Sequence, residues 1–158
     1  MNSFQNFIHY IYAKQFSMKT SLPFIFCFSA MSTGGLQAEC NTDKAIKSAQ
    51  DSMEGSHRVI KTFPLDGRGG TRKKLEFTVV LEQGTTYQFA VSGANGEPHG
   101  IEMTLYDSQR NKLGSSVYNG EYLSGFAYKV RSVGIYYLSF TFTNTSSYCG
   151  GAVVAMMK

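Results

Sequence analysis

Between residues 75 and 93 the chain reads LEFTVVLEQGTTYQFAVSG, and its apolar side chains recur at every second position. Leu75, Phe77, Val79 and Leu81 share one face of the first run; Tyr87, Phe89 and Val91 share one face of the second. A strand sends successive side chains to opposite faces, so this period dictates half-buried strands and excludes a helix here. Gln83 and Gly84 interrupt the alternation, and the two runs read as a hairpin that turns there.

The same period governs most of the chain beyond residue 93. In IEMTLYD, Ile101, Met103 and Leu105 oppose Glu102, Thr104 and Tyr106, and the turn DSQRN leads into a short strand around Lys112 to Ser116. GFAYKVR offers Phe126, Tyr128 and Val130, and GIYYLSFTFTNT aligns Tyr136, Leu138, Phe140 and Phe142. GGAVVAMM is apolar on both faces, which predicts a central strand covered on two sides. With a first strand near Val59 to Phe63, about eight strands recur at intervals of roughly ten residues, the spacing of an all-β antiparallel sandwich or barrel. A charged fraction of 16% beside 14% aromatics suits a packed domain, and no internal repeat or linker divides it.

One segment departs from the period. NTDKAIKSAQDSMEG places Ala45, Ile46, Ala49 and Met53 on a single helical stripe, with Asn41 or Thr42 as cap and Gly55 as stop, which predicts one short helix over about 42–54.

The first 38 residues read as a leader. From Met18, the expected true start, Lys19 precedes an apolar run from Leu22 to Met31 and then small and polar residues ending at Ala38, the order of a secretory signal peptide cleaved before Glu39. The run is too short for a membrane-spanning helix. Glu39 stands where a lipid-attachment motif before Cys40 places a small residue. Lys14 and Lys19 fall in this leader, so residues 39–158 hold 13 cations against 11 carboxylates and the formal charge drops from +4 to +2. Nucleic-acid binding calls for a concentrated positive face, and none is evident. Cys27 also falls in the leader, which leaves Cys40 and Cys149 as an even pair in a chain bound for an oxidising compartment. A disulfide is the natural reading; free or intermolecular thiols are the alternative.

LEFTVVLEQGTTYQFAVSG, IEMTLYDSQRNKL and GIYYLSF together resemble the bacterial pre-peptidase C-terminal domain and related jelly-roll modules, over residues 75–140. Gly84, Gly134, Tyr87, Phe89 and Tyr136 carry the likeness. The resemblance implies a jelly-roll-type sandwich that aids secretion, stability or adhesion to polymers and has no catalytic role. The chain departs from that pattern in lacking an attached peptidase and in adding the helix and the cysteine pair.

DGRGGTRKK, residues 66–74, looks most like a functional loop, with Arg68, Arg72, Lys73 and Lys74 around two adjacent glycines. A phosphate-cradling loop opens a helix, because helix N-terminal N–H groups converge on the anion; here a strand comes next. The stretch therefore reads as a solvated turn, or as an interaction patch for an acidic protein surface, lipid headgroups or an anionic glycan. His57 and His99 lie in no nucleophile motif and read as surface or turn histidines. No set of side chains has metal-site spacing, no cofactor motif occurs, and the oxygens of Glu97, Asp107 and Asn111 are sparse for calcium. Tyr106, Tyr118, Tyr122 and Tyr137 fall off the core faces and read as half-buried rings or as aromatic contacts for a protein or a sugar, although the chain lacks tryptophan. NTS at 144–146 forms a glycosylation sequon.

These features predict a non-catalytic, exported binding or structural module of the periplasm, outer envelope or extracellular space. An accessory subunit of an envelope or surface assembly is the leading expectation. A polysaccharide-binding module and a secreted enzyme or inhibitor are the alternatives.

Overall fold

The computed structural model describes residues 39–158; the expected leader, residues 1–38, lies outside the described residues. The elements run α1 (Thr42–Asp51), β1 (His57–Asp66), β2 (Lys74–Leu81), β3 (Thr86–Gly93), β4 (Ile101–Tyr106), β5 (Lys112–Ser115), β6 (Val117–Tyr118), β7 (Glu121–Tyr122), β8 (Gly125–Lys129), β9 (Gly134–Phe142) and β10 (Cys149–Met157). One sheet has the order β1-β10-β3-β8 and the other β2-β9-β4-β5, while β6 and β7 form a separate ribbon. All pairings are antiparallel. The pairs are nested: β1 with β10, β2 with β9, β3 with β8, β4 with β5. A chain folded into one long hairpin and rolled into two sheets produces this order, which is the jelly roll.

The expected hairpin of β2 and β3 does not form. β2 pairs with β9, and β3 lies in the opposite sheet between β10 and β8. The turn at Glu82–Thr85 crosses from one sheet to the other, with Gly84 at φ 79°. Its amides serve the far sheet: the Gly84 N–H donates to the Val130 carbonyl at 2.9 Å and the Val130 N–H to the Thr85 carbonyl at 2.9 Å. Alternation determines which face a side chain takes and leaves the partner strand open.

The sandwich core holds Phe63, Leu65, Phe89 and Val91 from one sheet against Met103, Leu105, Leu138 and Phe140 from the other, all fully buried. Phe63, Phe77 and Phe140 form a cluster of tilted and edge-on rings with centroids 4.9–6.2 Å apart. Each such aromatic buries a large apolar area and gains further from that geometry. The phenols at the core margin are satisfied: the Tyr136 hydroxyl donates to the Ser132 carbonyl at 2.6 Å, and the Tyr87 hydroxyl accepts from the Glu82 N–H at 3.2 Å.

Helix α1 covers the outer face of the first sheet. Asn41 caps it by accepting from the Lys44 N–H at 3.0 Å, and it ends at Asp51 with Ser52 as C-cap, one turn before Gly55. Ala49 of the helix and Met53 just beyond it pack on Ala90, Val153 and Ala155, with Ile46 against the same cluster. β10 is thus apolar on both faces because one meets the core and the other meets the helix. Gly151 makes this contact close, since a Cβ there would fall 2.9 Å from the Ala45 carbonyl carbon and against the Ile46 backbone. Cys40, immediately before the helix, is disulfide-bonded to Cys149 at the start of β10.

Candidate functional site

Four loops meet at one end of the sandwich: 67–73 between β1 and β2, 94–100 between β3 and β4, the ribbon and its flanks at 116–124, and 143–148 between β9 and β10. Their contacts form a chain across that end. The Gly67 N–H donates to the Tyr148 carbonyl at 2.7 Å, the Thr143 N–H donates to the Gly100 carbonyl at 2.8 Å, and the His99 ring meets the Tyr122 ring edge-on at 5.0 Å. The cationic loop and two of the four candidate tyrosines, Tyr118 and Tyr122, therefore stand at the same end of the sandwich.

The cationic loop is a built turn. The Asp66 carboxylate accepts from the Arg68 N–H at 2.8 Å, the Gly67 carbonyl accepts from the Arg72 N–H at 2.9 Å, and a single 3-10 turn spans Arg68–Gly70. Of the adjacent glycines, Gly69 takes φ 61° and Gly70, at φ 98°, has no room for a Cβ beside the Tyr148 ring. Arg68, Arg72, Lys73 and Lys74 all stand exposed. The two ion pairs among the described residues, Arg110–Glu76 at 2.6 Å and Lys112–Glu102 at 3.5 Å, use none of them.

Strand alternation alone does not disclose the ribbon of β6 and β7. Asn119 and Gly120 form its two-residue turn with φ of 51° and 83°, the left-handed pair of a type I′ turn, for which Asn-Gly is the favoured sequence. That dipeptide is the signal in the chain that marks it. Ser116 clamps the base: fully buried, its hydroxyl accepts from the Met103 N–H at 2.9 Å, its N–H donates to the Met103 carbonyl at 2.8 Å, and its carbonyl accepts from the Leu123 N–H at 2.7 Å. The ribbon then exposes Tyr118 at 68% and Leu123 at 42%.

Tyr106 and Tyr137 lie elsewhere, paired across β4 and β9 on the outer face of the second sheet. Arg110, in the β4–β5 turn at φ 68°, stacks its guanidinium 3.7 Å from the centre of the Tyr137 ring and donates to Glu76 at 2.6 Å. This hydrogen bond and charge hold the Glu76 carboxyl below its ordinary range and raise Arg110. The four tyrosines thus divide between two surfaces, and the face of Tyr137 is occupied by the arginine.

The remaining candidates do not converge. His57 lies at the start of β1 with Nδ1 3.1 Å from the Gly55 carbonyl, far along the sandwich from His99 in the β3–β4 loop. Glu97 and Asp107 flank opposite ends of β4. The Asp107 carboxylate is taken up by the Gln109 and Asn111 N–H groups and by the Asn111 side-chain amide, bonds that lower its pKa. Among the described residues no group of three or more His, Cys, Asp or Glu side chains is placed to hold a metal ion, and no helix is long and apolar enough to cross a membrane.

No family model matches the chain. No curated protein matches it either. Among solved structures it is similar to PliG of Aeromonas hydrophila, a periplasmic lysozyme inhibitor of g-type lysozyme, at 8% identity and a TM-score of 0.42, over 67% of this chain and 93% of that one.

Proposed function

We propose that the chain is an exported, non-catalytic module that docks its loop end on a protein partner. The observation that carries this reading is the ribbon: a short, conformationally defined hairpin, anchored by buried Ser116, that holds Tyr118 and Leu123 in solvent. A tyrosine displayed on a rigid turn gains binding energy at low ordering cost, and tyrosine is enriched among interface anchors. The disulfide between Cys40 and Cys149 supports an oxidising compartment. A projecting hairpin suits a partner with a cleft, which favours an inhibitor of a secreted enzyme over a subunit held by flat surfaces in an envelope assembly. The polysaccharide reading draws less support, because the tyrosines do not line one platform and the Tyr137 face is covered by Arg110.

The test places a photo-crosslinking benzoylphenylalanine at Tyr118 in the exporting cell. A discrete protein adduct, absent when the same group replaces Thr78 on the opposite sheet, is the expected result; its identification and an activity assay of the adduct's partner separate inhibition from assembly. Equal labelling from both positions, or none from Tyr118, refutes the reading.

A further inference from the structure

Two sheets present four edges, and three of them are blunted. β1 carries a bulge between Val59 and Lys61 and contains Pro64. The β2 edge has its Thr78 carbonyl taken by the Lys61 ammonium at 3.4 Å and bears Lys74 and Glu76. β5 has four residues and a register shift against β4 between Leu105 and Tyr106. Bulges, prolines, charges and short length all keep an edge from templating another chain. β8, GFAYK, has no proline and pairs with β3 in unbroken register from Lys129↔Thr86 to Gly125↔Ala90, with its one cation at the end.

The open groups on this edge can be assigned. The Val91 N–H donates to the Ser124 carbonyl at 2.8 Å and the Val130 N–H to the Thr85 carbonyl at 2.9 Å. Successive residues of a strand turn their backbone groups to opposite edges, so Ser124, Phe126, Tyr128 and Val130 face β3. The N–H and C=O of Gly125, Ala127 and Lys129 point away from the sheet.

Cavities flank β8 on both faces. On the helix side a space of about 210 Å³ is lined by Ser52, Glu54, Gln88, Ser124 and Ala127, and the buried Gln88 Oε1 has no hydrogen-bond partner. On the side of the second sheet a space of about 390 Å³ is lined by Leu113, Tyr128 and Tyr136 together with the charged Asp107, Lys112 and Arg131. A strand laid along β8 would send alternate side chains towards these two faces, the arrangement by which added strands are recognised.

We propose that β8 is the docking edge for an extended peptide segment of a partner protein. Its backbone pairs with Gly125, Ala127 and Lys129, its donor-bearing side chains turn towards Gln88 Oε1 and Glu54, and its apolar side chains turn towards Leu113 and Tyr136. A second copy of β8 is a poorer occupant, since of its helix-side residues Gly125, Ala127 and Lys129 only the last carries a side-chain donor. The edge is distinct from the ribbon, so the two readings fail separately.

The test selects phage-displayed random dodecapeptides on the disulfide-intact protein. Enriched peptides are expected to alternate Lys, Asn, Gln or Thr with apolar residues. A synthetic copy of the best should protect the Gly125, Ala127 and Lys129 amides from hydrogen exchange, and bind Ala127→Pro at least tenfold more weakly and Tyr118→Ala unchanged. Proline removes only an outward-facing N–H at this position, as edge strands tolerate. If that variant does not fold, the exchange pattern of the unsubstituted protein decides. No enrichment, protection elsewhere, or equal binding to Ala127→Pro overturns the proposal, as does a self-association that the variant abolishes.

Discussion

Replacing Gly151 by alanine adds one methyl group where the helix rests on β10. Built on the observed backbone, that carbon lies 2.7 Å from Ile46 Cγ1, 2.9 Å from the Ala45 carbonyl carbon and against the Ile46 amide nitrogen. Two of these three neighbours are helix backbone, so the clash is not relieved by a rotamer change and α1 must lift. Lifting opens the contact in which Ala45 and Ala49 have no exposed surface. Overpacking of this kind costs about 1–3 kcal/mol. For a domain of this size that corresponds to a fall of roughly 4–12 °C in Tm. Gly134→Ala is the control, because a Cβ there meets nothing within 4 Å. Urea and thermal unfolding of both variants give the difference, and hydrogen exchange of the 42–51 amides reports whether the loss sits in the helix. If Gly151→Ala matches Gly134→Ala in stability, the helix does not seat on β10 in this way.

The same geometry sets further outcomes. Replacing both Cys40 and Cys149 by serine releases a loop closed over 109 residues, which chain entropy values at about 4–5 kcal/mol, measured as the change in urea midpoint times the slope. Gly120→Val forces a β-branched residue into φ 83°, and should weaken partner crosslinking from the ribbon while leaving the unfolding midpoint of the sandwich nearly unchanged. Ser116→Ala leaves the Met103 N–H without its side-chain acceptor and should destabilise the fold by about 1–3 kcal/mol, with faster exchange at Met103 as the local sign. Glu76 is held below its ordinary value of 4.5 by Arg110, so its contribution is present above that pH and is lost as the pH falls through the lowered value. The Tm gap between the parent and Glu76→Gln should therefore close on acidification, and it should be small throughout because the pair is solvent-screened.

The eight strands of the two sheets, the helix and the cysteine bridge are legible in the chain because each rests on local periodicity or on simple parity. Tyr136, Leu138 and Phe140 declare a buried face without reference to any other segment. Pairing is different in kind: nothing in LEFTVVLEQGTTYQF separates a hairpin from an arch that crosses between sheets, since both need a glycine with positive φ and both bury the same side chains. The cations and tyrosines of the loop end are visible one by one. Their common location depends on loops 67–73, 94–100, 116–124 and 143–148 being brought together by the nested pairing. Arg110 lies over Tyr137 from a turn position at left-handed φ of 68°, and residue spacing does not disclose that contact.

The nested order also sets a schedule for the nascent chain. β10 lies between β1 and β3 and beneath the helix, so none of the first sheet except its β3–β8 edge can close until residues 149–157 are free. Contacts between the most distant parts of a chain form slowly, because loop closure must precede them. A polypeptide of this design stays open for as long as β10 is held in a ribosome. Its Cys40–Cys149 seam likewise waits for residue 149, so oxidation follows the emergence of β10 and cannot precede it.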